Sequence, residues 1–287
     1  MRTSIINRPL MMVIFATVMI LTPANSLKAQ RNGTASQSCG IENKAFSSGE
    51  FLAYDLYFNW KFVWIKVGTA SMSTVQSTFR GTPAYRTSLT TRGNDKLDGM
   101  FIMRDTLLSY CAKQDLRPLY FRKGALEGKR YYVDELWYSY PRNRCRLKMH
   151  RINSHGEHKW QEKEYHECIY DMMSIFLRAR NFDSSNLKKN DIIPMPISDA
   201  KNLSNSWLKY RGKENFKIEG SNEKFRCLVF SFMEREDNKT TELIRFYVTD
   251  DTNHIPVRLD LNLSFGSAKV YLKAYQGIRS PMTSKIN

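Results

Sequence analysis

A chain of 287 residues, 42% of them hydrophobic, is long enough to bury one large core or two small ones. Lys and Arg outnumber Asp and Glu by 44 to 28, for a formal charge of +16. The sequence carries no nucleophile elbow, no metal-ligand spacing and no phosphate loop, which excludes the commoner hydrolase, structural-metal and nucleotide-binding readings.

The first segment, MRTSIINRPLMMVIFATVMILTPANSLKAQ, has basic Arg2 and Arg8 and an apolar run from Leu10 to Leu21. Small-residue cleavage options follow at Ala24-Asn25-Ser26 and Leu27-Lys28-Ala29. The run is short for a bilayer span, so the pattern predicts a cleaved signal peptide over 1–29. The first cysteine is Cys39, away from the cleavage region, so no lipid anchor is expected. The expected location is periplasmic or cell-surface. Export turns the basic balance away from nucleic acid. It favours a membrane surface, an anionic envelope polymer, or simple solubilisation of strand faces.

Residues 30–45 are small and polar and predict a disordered leader. Two-residue alternation then begins. In FLAYDLYFNW, Leu52, Tyr54, Leu56, Phe58 and Trp60 share a face, and Gly68 marks a bulge or a close approach in the next strand. AYRTSLTTR, MFIMRDTLLSYC and YYVDELWYSY are further strand candidates. RCRLKMHRI sends Cys145, Leu147 and Met149 one way and Arg144, Arg146, Lys148 and His150 the other. NSHGE turns it into HKWQEKEY, a hairpin.

One helix interrupts the strands, over 171–181. Met172, Ile175, Phe176 and Ala179 follow helical spacing, Asp171 is the N-cap, and Arg178 and Arg180 suit the negative end. A linker leads to a second meander over 207–277. In its PVRLDLNLSF strand, Val257, Leu259, Leu261, Leu263 and Phe265 face in, while Arg258, Asp260, Asn262 and Ser264 face out. Gly266 turns the chain so that Ala268, Val270 and Leu272 pair back.

The expected fold is mainly β: an antiparallel curved sheet or barrel, an up-and-down meander, with one central helix covering an opening. A single β-rich domain spans 46–277, with strands over 46–168, and a tail spans 278–287. An oxidising compartment permits disulfides among the five cysteines, and the odd count leaves at least one unpaired. Cys145 and Cys227, on alternating apolar faces, are expected as buried free thiols.

The segments FSSGEFLAYDLYFNWKFVWIKVGTASM, YDMMSIFLRAR and TDDTNHIPVRLDLNLSFGSAKVYL together resemble an exported bacterial family, domain of unknown function 3108. The match rests on GE-x-L-x-Y with a later strand glycine, and on a helix carrying Asp171, Ser174 and Arg178. A closing loop Asp-x-x-x-x-x-Pro before a glycine hairpin completes it. The likeness runs from Phe46 to Tyr275. It departs at KKNDIIPMPI, where a glycine would precede the Asp, and in the absence of a closing-strand tryptophan. The resemblance implies antiparallel β structure, and a second half similar to envelope carriers that wrap a curved sheet around acyl chains. It transfers no catalytic residue.

His150, His155, His158 and His166 cluster in one hairpin, where neighbouring lysines on a solvated face would repel a cation, so no metal site is expected. Asp250 and Asp251, and Glu234 and Glu236, read as turn residues or outward charges. Asp171, Ser174 and Arg178 read as capping rather than as a nucleophile set. No catalytic residue, metal or cofactor is therefore expected. The functional expectation is a non-enzymatic binding protein for a lipid or other apolar ligand, with Met172, Ile175 and Phe176 as candidate lid. The alternative is an envelope scaffold that binds an anionic glycan or a protein through a basic hairpin formed by Arg144, Arg146 and Lys148. Peripheral membrane contact fits either, and nucleic acid fits neither.

Overall fold

A computed structural model describes residues 39–286, apart from 61, 62, 100, 101, 201, 202, 220, 237, 264 and 265. The signal peptide expected over 1–29, the expected facing of Ser264 and Phe265, and the side chain of Trp60 lie outside the described residues.

The first meander runs through β1 (Glu50–Trp60), β2 (Val63–Phe79), β3 (Thr82–Gly93), β4 (Met103–Ala112), β5 (Pro118–Glu127), β6 (Arg130–Ser139), β7 (Cys145–Ile152) and β8 (His158–Tyr165). The helix α1 (Met172–Ala179) follows, then three short strands, β9 (Ile192–Pro194), β10 (Ile197–Ser198) and β11 (Leu203–Ser204). The second meander is β12 (Ser206–Lys217), β13 (Lys224–Glu236), β14 (Lys239–Thr249), β15 (Pro256–Leu263) and β16 (Gly266–Gln276), and β17 (Lys285–Ile286) returns to pair with β13. All belong to one curved antiparallel sheet except β10 and β11, which pair with each other. Its order is β8-β7-β6-β5-β4-β3-β2-β1-β16-β15-β14-β13-β12-β9, so the two meanders join where β1 pairs β16.

Alternation builds this sheet. Leu52, Tyr54, Leu56 and Phe58 are buried while Ala53, Asp55 and Tyr57 between them are not. Gly68 sits where the β1–β2 register slips, and a side chain there would put its Cβ 2.4 Å from the Arg92 carbonyl oxygen. It is the expected bulge, and only glycine fits it.

Because the strands run up and down, the connections sort to two ends. The β1–β2, β3–β4, β5–β6, β7–β8, β13–β14 and β15–β16 turns gather at one, called here the hairpin end. The helix lies at the other. Its N-cap is a capping box: the Asp171 carboxylate accepts from the backbone N–H of Met173 and Ser174 at 2.9 and 2.8 Å, and Ser174 Oγ accepts from the Asp171 N–H at 3.0 Å. The helix is shorter than expected, and its wholly buried residues are Met173, Ser174 and Leu177. The stripe of Met172, Ile175, Phe176 and Ala179 is half-buried and turned toward the interior space described below.

Arg180 follows the helix and holds it down. Expected as a cation at the negative helix end, it forms a two-pronged ion pair with Glu50 of β1 and donates to the Asn253 carbonyl at 2.9 and 3.1 Å. His254 Nδ1 in turn donates to the Arg180 carbonyl at 2.7 Å.

Two boundary expectations are corrected. From Cys39 onward the leader is fixed in place, through a Cys39–Cys168 disulfide, burial of Ala45 and Phe46, and Asn181 accepting from the Lys44 and Ala45 backbone. The tail is likewise part of the fold. Ser280 and Asn253 exchange hydrogen bonds, Ser284 is buried, and β17 pairs with β13. Cys111, Cys145 and Cys227 are buried free thiols, and burial pushes Cys145 up to about 11 and Cys227 to about 12.

Candidate functional site

Inside the curve of the sheet lies a cavity of about 690 Å³. Its walls differ in chemistry because the two meanders supply different residues at their inward positions. From β12 to β15 come Leu208, Phe230, Phe232, Ile244, Phe246 and Leu259, an apolar wall. The helix adds Met172, Met173, Ile175, Phe176 and Ala179 at one end. From β3 to β7 come Thr91, Lys123, Tyr132, Asp134 and Arg151, a polar wall set among the apolar Leu56, Met72, Leu89 and Phe121 of the same meander.

The polar wall is a hydrogen-bonded ionic network, buried at its base. Lys123 Nζ donates to the Tyr132 hydroxyl at 2.9 Å, and that hydroxyl donates to Glu127 Oε1 at 2.7 Å. Arg151 Nη2 donates to Asp134 at 3.1 Å. Behind Lys123 stands Asp105, 4% exposed, with one carboxylate oxygen lacking a hydrogen-bond partner among the described residues. Burial raises the Asp105 carboxyl to about 7, against the opposing charge of Lys123 and with reinforcement from Glu127. Burial likewise raises Asp134 to about 6, with Arg151 pulling it down and Asp199 pushing it up.

The cavity opens at the hairpin end. Its exposed lining residues, Leu203, Asn205, Arg235, Glu236 and Asn262, are all there, whereas those at the helix end are half-buried or buried. Glu234 and Glu236, expected as outward charges, are corrected: they continue the inward register of Phe230 and Phe232 on β13 and line the mouth. Burial raises the Glu234 carboxyl, helped by Glu236 and Asp199.

The sequence-derived candidates divide. Met172, Ile175 and Phe176 come together on the cavity wall. Arg144, Arg146 and Lys148 share the outer face of β7, but β8 occupies them. Arg144 and Arg146 donate to Glu164 at 3.1 and 3.0 Å, and the Lys148 ammonium sits 4.9 Å over the Trp160 ring. The same face carries a row of rings, Tyr120 tilted against Trp137 at 5.5 Å and Trp137 stacked on Trp160 at 5.7 Å.

His150 is also corrected: it shares the outer face with Lys148 as expected but is not solvated there, being 5% exposed beneath Trp160, with ring centroids 4.0 Å apart. Its Nδ1 bonds Glu135 at 2.8 Å and its Nε2 shares a hydrogen bond with His158 at 2.9 Å. Asp250 and Asp251 are turn residues, Asp250 accepting from Lys213 and Arg226 and Asp251 from Asn253 and Thr249. Among the described residues, no group of three His, Cys, Asp or Glu converges as a metal ion would require. No helix among them is long and apolar enough to cross a membrane.

The family described as "Protein of unknown function (DUF3108)" matches residues 53–273, and the chain belongs to it. No curated protein matches. Among solved structures the chain is similar to a β-barrel-like protein of domain of unknown function DUF1849 from Brucella abortus. The TM-score is 0.50 at 11% identity, covering 81% of this chain and 99% of that one. That likeness is one of fold. A protein of YmcC-like fold from Bacteroides fragilis aligns with a TM-score of 0.32 and 7% identity, over 83% of this chain and 98% of that one.

Proposed function

We propose that this member of a family of unknown function is an exported, non-enzymatic binding protein that holds an amphiphile inside its curved sheet. The observation that carries the reading is the division of the cavity wall. An apolar tail finds Leu208, Phe230, Phe246 and Leu259 on one side, and a polar head finds Lys123, Tyr132, Asp134 and Arg151 on the other. A volume of about 690 Å³ suits one small lipid-like molecule. The half-buried methionine and phenylalanine on α1 form a soft, deformable seal at the closed end.

The ionic residues of the polar wall are bound to one another, and none of them is a nucleophile paired with a base, which favours holding a molecule over transforming it. The scaffold reading through Arg144, Arg146 and Lys148 draws less support, because Glu164 and Trp160 already engage those cations.

The test is displacement of a fluorescent fatty-acid probe from the purified protein. Saturable binding that Leu259→Trp weakens by ~10-fold or more, with the melting temperature held, supports the reading. Absence of saturable binding, or binding indifferent to Leu259→Trp, rejects it.

A further inference from the structure

We propose that the hairpin end of the sheet docks on an anionic lipid bilayer. The inner face of β2 supplies the first observation. Val67, Ile65 and Val63 alternate along that face, and their exposure rises from 8% to 40% to 61% as the strand outruns the sheet. Ile65 pairs with Phe58, which is buried, so the apolar stripe of the core continues past its cover into solvent. Tyr131, beside the β5–β6 turn, and Leu203, at the cavity mouth, are also exposed at this end, at 52% and 39%. Exposed large apolar side chains ordinarily occur singly; these four share one end of the sheet, while Phe51, Trp160 and Ile192 are exposed on β1, β8 and β9.

Charge supplies the second observation. Between these apolar tips the turns carry exposed Lys96, Lys129, Arg130, Arg235 and Lys239. Of the acids nearby, Asp95 and Asp98 are already bound by Arg104 at 2.8 and 2.6 Å and Glu157 by Asn153, while Glu234 and Glu236 line the mouth, so the five exposed cations outnumber the acids left to oppose them. The end therefore presents separate apolar side chains in a basic surround. A protein partner would need a contiguous, shape-matched apolar patch. A bilayer takes separately inserted side chains, because the interface yields around each one, and an anionic leaflet gains about five-fold in partition per nearby basic side chain.

The third observation is placement. The exposed lining residues of the cavity are at this same end, so a docked molecule would turn its mouth to the lipid surface. That loading role rests on the carrier reading above, whereas the docking rests on the surface alone.

Co-sedimentation with vesicles tests it, using equimolar phosphatidylglycerol and phosphatidylcholine against phosphatidylcholine alone. Wild type and variants share residues 1–38, so differences between them report the hairpin end. The expected result is sedimentation with the anionic vesicles only, weakened by salt. Both Val63→Asp with Ile65→Asp and Lys129→Glu with Arg130→Glu should reduce it by ~10-fold or more, with melting temperatures unchanged. Failure of wild type to bind anionic vesicles overturns the proposal, as does undiminished binding by the apolar-tip variant. If the substitutions instead dissociate a dimer while vesicles are ignored, the occupant is a second copy and the proposal is wrong. Leu259→Trp separates the two ideas: vesicle binding by wild type and this variant, with no probe binding by either, retires the carrier reading and leaves docking standing.

Discussion

Arg180 and Glu50 lie 130 residues apart in sequence and meet in a two-pronged ion pair of 2.6 and 2.8 Å, both side chains almost wholly withdrawn from water. The pair fastens the helix to the first strand. It also carries the guanidinium over the Phe46 and Phe176 rings, at 5.5 and 6.0 Å. Removing one partner leaves a buried charge uncompensated. Glu50→Ala is therefore expected to cost about 3–5 kcal/mol in guanidinium unfolding. Glu50→Leu combined with Arg180→Met should recover much of that loss, because apolar replacement of both partners removes the desolvation penalty. A double variant no better than Glu50→Ala would show that the pair is worth more than its burial costs.

The helix has two faces with different duties. Leu177 is fully buried, and Leu177→Ala should cost about 2–5 kcal/mol. Phe176 is half-buried against the cavity, so Phe176→Ala should cost about 2 kcal/mol while speeding exchange of bound probe. Equal losses from the two substitutions, with unchanged exchange, would make the helix plain core and not a seal.

Acid should stabilise this protein through Asp105. Its folded carboxyl titrates near 7, against an ordinary value of 3.8, because burial penalises the charged form more than Lys123 favours it. The folded state therefore holds a proton that the unfolded state has released. The Asp105 contribution is fully present below about pH 3.8 and is lost as pH rises through about 7. Across that window the slope from this group approaches about −1.4 kcal/mol per pH unit. Asp105→Asn should flatten it in unfolding experiments between those limits. A variant whose pH dependence matches wild type would place Asp105 in a better-solvated setting.

The Cys39–Cys168 bridge closes a separation of 129 residues and ties the segment before β1 to the segment before the helix. Cys39→Ser with Cys168→Ser should destabilise the fold by about 2–5 kcal/mol. Proteolysis of the native variant should then begin within 39–46, where the bridge no longer holds the chain. Unchanged resistance would show that Ala45 and Phe46 anchor this segment unaided.

Much of the fold was legible because period-two alternation is a local property. The inward Cys145, Leu147 and Met149 of β7, the bulge at Gly68 and the cap at Asp171 all follow from a few neighbouring residues. The polar wall was not read, although a signal for it existed. Lys123 and Glu127 occupy the same alternation as Phe121 and Ala125, so charged residues sit in an apolar register. Glu234 repeats this after Phe230 and Phe232. Charge on a strand ordinarily faces solvent, whereas at these positions it faces the cavity side. His150 escaped for the opposite reason: it lies on the outer face, and Trp160 of the neighbouring strand covers it. The disulfide and the Arg180–Glu50 pair join distant segments, which no local pattern reveals.

The central claim is that the cavity is occupied in life, and native mass spectrometry of protein purified without detergent tests it most directly. The account predicts an adduct of lipid-like mass, identified after solvent extraction as an amphiphile with a polar head, and lost or much reduced in Leu259→Trp. A bare protein mass under gentle conditions, with nothing extracted and no uptake of added amphiphile, would contradict it.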